Sequence, residues 1–164
     1  MKKFSFLLLA LAGLLFSCKP ETDRLPQGPD AFVGWYHVFL KYEYVWSDYR
    51  DPYDPYVSEG EYGYFRFKKL SEDSIGEVHP FFHEGKVSGR SVTFPQVETE
   101  NFGGRPNSKI ILTFQTGYLD NDDGFAIPFT ATGTCEKTDV YGGKYTATLE
   151  GSGSFTFVRS ELEE

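Results

Sequence analysis

Helical periodicity is missing from this sequence. No window of useful length repeats apolar residues at a spacing of three and four, which argues against a helical bundle or a helix-covered parallel sheet. Cysteine is nearly missing too: the two residues, Cys18 and Cys135, allow one internal disulfide at most. Only three histidines are present, and no Gly-x-Ser-x-Gly elbow or phosphate-binding glycine loop occurs. Basic residues are outnumbered, 16 against 24 acidic, for a net charge of −8. No basic stripe stands out from this deficit, which excludes nucleic acid as a partner. Finally, no apolar run reaches the roughly 20 residues that a membrane-spanning helix needs.

The longest apolar run is Phe4–Phe16, behind Lys2 and Lys3. A short basic start and an apolar stretch of this length have the form of a secretory signal. The run ends in Leu15-Phe16-Ser17-Cys18, which resembles the bacterial lipobox. That resemblance implies cleavage after residue 17, a diacylglycerol thioether on Cys18 and an N-acyl chain on its amine. No other cofactor is expected. Two or more acyl chains hold a protein on a membrane stably, at about 0.8 kcal/mol per buried methylene. Lys19 follows the cysteine where an Asp would signal inner-membrane retention, so the resemblance implies the outer membrane, in either leaflet. Residues 18–31, with Pro20, Pro26, Gly28 and Pro29, read as a tether to one domain over 32–164. Removing residues 1–17 takes Lys2 and Lys3 from the 16 basic residues and leaves 14 against 24 acidic ones, a net charge of −10.

What the domain has in abundance is alternation. Period-2 patterning predicts eight strands, at about 33–46, 62–70, 74–82, 86–95, 108–117, 125–134, 143–150 and 153–159. In the first, Tyr36, Val38, Leu40, Tyr42, Tyr44 and Trp46 share one face, while His37, Lys41 and Glu43 lie on the other. Short links such as Gly151–Gly153 suggest an all-β antiparallel meander that closes into an eight-stranded barrel. A two-sheet sandwich would use the same alternation. Pro80 and Pro128 fall within strands and imply edges, bulges or bends. Gly34-Trp35 at the first strand, with Phe155 to Arg159 in the last, resembles the lipocalin and avidin barrels. That resemblance implies a basic side chain of the last strand, Arg159, stacked on Trp35. Together with the lipobox, the chain resembles small lipocalin-like lipoproteins of the Bacteroidetes.

In a simple meander, the links 47–61 and 118–124 would sit together at the barrel mouth away from the tether. The first link spaces Tyr49, Tyr53 and Tyr56 with acids and prolines, and Trp46 stands at its root. Tyr118 and the acidic run Asp120 to Asp123 belong to the second. Stiffened tyrosines offer flat amphipathic faces, and carboxylates accept hydrogen bonds from hydroxyls. Trp46, Tyr49, Tyr53, Tyr56 and Tyr118 are therefore the candidate binding residues. A glycan, a small apolar ligand or another envelope protein could occupy them. They would fold back as a lid if they bind nothing.

Metal and catalytic readings are weaker. Asp120 to Gly124 resembles the start of an EF-hand loop, yet its glycine is one place early and the closing position is Ala131. His79 and His83 would lie roughly 13 Å apart on a strand, unless Pro80 bends it sharply. Cys135 reads as a small half-buried strand residue. A non-catalytic envelope binding protein is expected, or an accessory lipoprotein docked on a partner. A Cys18→Ser substitution should abolish incorporation of labelled palmitate and leave the precursor unprocessed on a gel.

Overall fold

The computed structural model describes residues 26–48, 55–100, 105, 107–120 and 123–161. Ten antiparallel strands run β1 Gly34–Trp46, β2 Tyr56–Ser71, β3 Ser74–Gly76, β4 Gly85–Ser88, β5 Ser91–Thr93, β6 Val97–Glu100, β7 Ser108–Phe114, β8 Gly117–Asp120, β9 Gly124–Thr138 and β10 Lys144–Arg159. Eight of them close on themselves in the order β10-β1-β2-β3-β4-β5-β8-β9, with β9 pairing back to β10. The result is one barrel-like sheet rather than a two-sheet sandwich. β7 and β6 extend from β9 beyond the ring.

Alternation built these strands as expected. On β1, Tyr36, Val38, Leu40, Tyr44 and Trp46 are buried, while Phe39, Lys41 and Glu43 face out. The connections differ from a simple meander in three places. The predicted strand 86–95 is two strands, because Gly89 and Arg90 turn the chain back between Ser88 and Ser91. The predicted strand 74–82 stops at Gly76. Beyond it, Pro80 takes the second position of a turn in which the Phe82 amide bonds the His79 carbonyl at 3.1 Å. Gly151–Gly153 is no link at all but the middle of β10. Its glycines serve close packing. A Cβ on Gly153 would lie 2.5 Å from the Lys41 carbonyl oxygen and from the Phe129 ring. One on Gly151 would meet the Glu43 carbonyl oxygen at 2.6 Å.

The added reversal at Gly89 moves the 118–124 link to the other end of the ring. The Arg159 amide bonds the Asp123 carbonyl at 2.7 Å, beside the entry of β1. At this near end a 3-10 turn, Pro29–Ala31, tucks Phe32 against Phe125. Arg159 closes it by donating to the carbonyls of Ala31 (2.7 Å) and Val33 (3.1 Å) and to the Tyr36 hydroxyl (3.0 Å). Its guanidinium lies over Tyr36, 5.3 Å from the ring centroid, and not over Trp35. Strand register explains the difference. Arg159 pairs with Tyr36, whereas Trp35 pairs with Arg66, which lies over the indole at 5.6 Å.

Phenylalanine fills the ring. Phe82, fully buried, is carried inward by the turn that begins at His79. The ring centroids of Phe65, Phe67, Phe94, Phe114, Phe155 and Phe157 lie 5.1–6.2 Å from its own. Several of these contacts are edge-to-face, the arrangement that ring quadrupoles favour. Strand edges without a strand partner among the described residues include β6 on its outer side and β2 before Lys68. Glu98 and Glu100 stud the first, and the second carries Glu59 and Glu61, which reach Lys41 and His37 on β1 (3.0 and 2.9 Å); charges along an edge discourage pairing with another chain. Phe82→Ala should cost about 3–5 kcal/mol, read from urea unfolding. Tyr141→Ala, at a side chain 95% exposed, should stay within about 0.5 kcal/mol of the parent.

Candidate functional site

The candidate residues do not converge. Tyr49 and Tyr53 lie outside the described residues, as does Cys18. Trp46 is fully buried at the far end of the ring. The Arg105 guanidinium covers its ring at 4.3 Å and pairs with Asp48 at 2.7 Å. Tyr145 donates to the same carboxylate at 3.4 Å. Trp46 is thus the floor of a clasp between two chain segments, and its faces are not open to a ligand. Tyr56 opens β2 nearby, with its ring 5.0 Å from Tyr44 and 6.3 Å from Tyr42. Tyr118 stands at the opposite end, 69% exposed on β8.

Tyr118 does belong to a larger feature. Three open grooves follow one another along the outer wall of the β9–β10 hairpin, of about 530, 430 and 480 Å³. Each has the volume of a ligand site. The first is lined by Tyr118, Pro128 and Thr156, the second by Thr130, Ser152 and Ser154, the third by Thr132, Thr134 and Thr148. Period 2 explains the chemistry. Ile127, Phe129, Ala131 and Cys135 point into the core, so Pro128, Thr130, Thr132 and Thr134 point out. On β10 the buried Ala147, Leu149, Phe155 and Phe157 leave Thr148, Ser152, Ser154 and Thr156 outside. Register sets Thr130 opposite Ser152 and Thr134 opposite Thr148. The wall therefore carries hydroxyls over roughly 27 Å of strand, from Thr156 to Thr148, with Glu150 set opposite Thr132 between the two hydroxyl pairs. The charges that line the grooves are mostly acidic: Asp120 and Asp123 in the first, Lys41 and Glu43 in the middle one, and Glu98, Glu150 and Lys109 in the last.

Sequence reasoning passed over this wall because it looked for aromatic loops. The signal was present in Thr130-Ala131-Thr132-Gly133-Thr134 and Thr146-Ala147-Thr148, where hydroxyls alternate with small core residues. Threonine is also a good strand former, so the pattern blended with ordinary β propensity.

The remaining groups are structural in placement. Pro80 does bend the chain between His79 and His83, yet His79 packs inward and His83 is exposed. Among the described residues, no group of three or more His, Cys, Asp or Glu side chains could hold a metal ion. Cys135 is buried in β9, as a strand residue should be. Burial pushes the Tyr62 phenol above its ordinary value and the His79 imidazole below its own. Asp73 is held below the usual carboxylate range, first by the Ser71 hydroxyl and then by Lys86. Among the described residues no helix is long and apolar enough to cross a membrane. Compared with known proteins, the chain matches no protein-family model and no curated protein.

Arg105→Ala should lose about 2 kcal/mol, since it strips Trp46 of its cover and leaves the Asp48 carboxylate with the long Tyr145 hydrogen bond in place of its ion pair. Trp46 fluorescence should move to the red and become open to acrylamide quenching. Arg105→Lys, which keeps the charge but loses the planar fork, should fall between.

Proposed function

We propose that this chain is a lipid-anchored protein of the bacterial outer membrane that binds a neutral glycan, without catalysis, along the outer wall of its barrel. The N-terminal pattern ending in Cys18 supports the anchor. Eight residues lead from that cysteine to Pro26, a reach of at most roughly 28 Å. Arg90 donates to the Pro26 carbonyl at 3.3 Å and to the Leu119 carbonyl at 3.1 Å, so the tether leaves the domain beside β8. The near end then faces the lipid, and the β9–β10 wall rises away from it.

The observation that carries the reading is the array of hydroxyls on that wall, with the Tyr118 ring at one end. Hydroxyls both donate and accept, which matches a polyhydroxylated ligand. A tyrosine face suits the apolar side of a sugar ring. The net charge of −10 disfavours acidic polymers. A small apolar ligand inside the barrel would need the space that Phe82 and its neighbours occupy. Neutral hydrogen bonds contribute about 0.5–1.5 kcal/mol each, so several must act together and the affinity is modest. Kd values of about 0.1–1 mM are expected, equivalent to roughly 4–5.5 kcal/mol.

The test is titration against a panel of neutral oligosaccharides, read by NMR shifts of the β9 and β10 amides. Saturable shifts confined to the outward residues of Thr130–Thr134 and Thr148–Thr156 are expected. Tyr118→Ala combined with Thr132→Val should weaken binding at least about tenfold, an energy of about 1.4 kcal/mol. Binding that this double variant leaves unchanged, or a panel with no saturable shift, overturns the assignment.

A further inference from the structure

The turn that delivers Phe82 is held by one imidazole. Glu77 and Phe82 close it through a 2.9 Å backbone bond, and His79 with Pro80 forms its corner. The Phe81 amide donates to His79 Nδ1 at 3.3 Å, which leaves the ring proton on Nε2, 3.4 Å from the Tyr62 hydroxyl. His79 lies 4.6 Å from Phe65, 5.0 Å from Phe81 and 5.9 Å from Phe82, centroid to centroid. The corner therefore covers β2 beyond the reach of the short β3, which pairs only from Lys68 onward.

We propose that His79 makes this rim of the barrel acid-sensitive: its protonation frees the His79–Phe81 corner from β2, while Phe82 stays seated. The groups that face His79 are Tyr62 and Phe65 from β2 and Phe81 and Phe82 from its own turn. Phe155 of β10 packs behind Tyr62 and Phe81. Tyr62 is the one titratable side chain among them. The charged neighbours in sequence, Glu77 and Glu84, and the exposed His83 make no ion pair with His79 among the described residues. A protonated His79 thus finds no carboxylate, and its Nδ1 changes from acceptor to donor, so the bond from Phe81 is lost.

The sign follows from burial, which holds the imidazole below its ordinary value of 6.5 in the closed state. The open state keeps the ordinary value. Opening is then favoured as pH falls below about 6.5, by up to about tenfold per pH unit, until the closed state also takes the proton. Phe82 remains because its ring is fully buried among six others, whereas His79 is only half-buried. The inference rests on this geometry and is independent of glycan binding.

Amide hydrogen exchange of the full chain between pH 7.5 and 5.0, corrected for intrinsic rates, tests it. Protection at Phe81 should fall about tenfold, while protection of the β1 and β10 amides stays unchanged. His79→Gln keeps an acceptor but does not titrate, so its Phe81 protection should be flat across the range. A flat profile in the parent, or an equal loss in His79→Gln, overturns the proposal. If that variant fails to fold, the parent's own imidazole titration decides: a midpoint below 6.5 supports the proposal, and one at or above it refutes it.

Discussion

The packing of Phe82 against six phenylalanines is the contact on which the rest of the structure depends. β3, β4 and β5 have three or four residues each, too few to hold a closed sheet by ladder bonds alone. What keeps them in the ring is a common apolar surface. Ile75, Val87, Val92 and Phe94 are buried from their side, as are Phe65, Phe67, Phe155 and Phe157 from the long strands. Phe82 sits between the two sets. Burying a side chain of this size contributes about 1.5–3 kcal/mol, and favourable ring pairs add to it.

That same contact decides where recognition can occur. A barrel of this strand number either fills with side chains or holds one small ligand. With aromatic rings inside, the available surfaces are the ends and the outer wall. The near end is closed by Phe32 and the Arg159 clasp, and at the far end Arg105 covers Trp46. The β9–β10 hairpin is then the longest continuous wall, and its outward positions are mostly threonine and serine, with Glu136 and Glu150 among them.

Much of the fold was legible because period 2 is written plainly in β1; Cys135 lies on a strand as read, though it is buried rather than half-buried, and Pro80 marks one of the bends that a proline within a strand implies. Two of the errors came from glycine, whose role is ambiguous in a single sequence; two others were strand limits, β3 stopping at Gly76 and β2 starting at Tyr56. Gly151 and Gly153 read as a turn, yet they sit mid-strand because the Tyr44 and Phe129 side chains approach too closely for a Cβ. Gly89 looked like part of a strand and is a turn. One misplaced reversal carried Tyr118 to the wrong end of the barrel and separated it from Tyr56. The candidate site was less legible for a different reason. Trp46 belongs to the alternating core face, and only a partner distant in sequence, Arg105, shows that its ring is covered. The hydroxyl wall required knowing that β9 and β10 pair over their full length, which no local pattern states.

The central claim is that the interior is solid. Xenon enters dry apolar cavities and perturbs the groups that line them. Methyl NMR spectra of Val38, Leu112 and Ile127, recorded under increasing xenon pressure, test the claim most directly. A filled barrel predicts small shifts that rise linearly with pressure and show no saturation. Saturable shifts clustered on those three residues would reveal an internal site and contradict it.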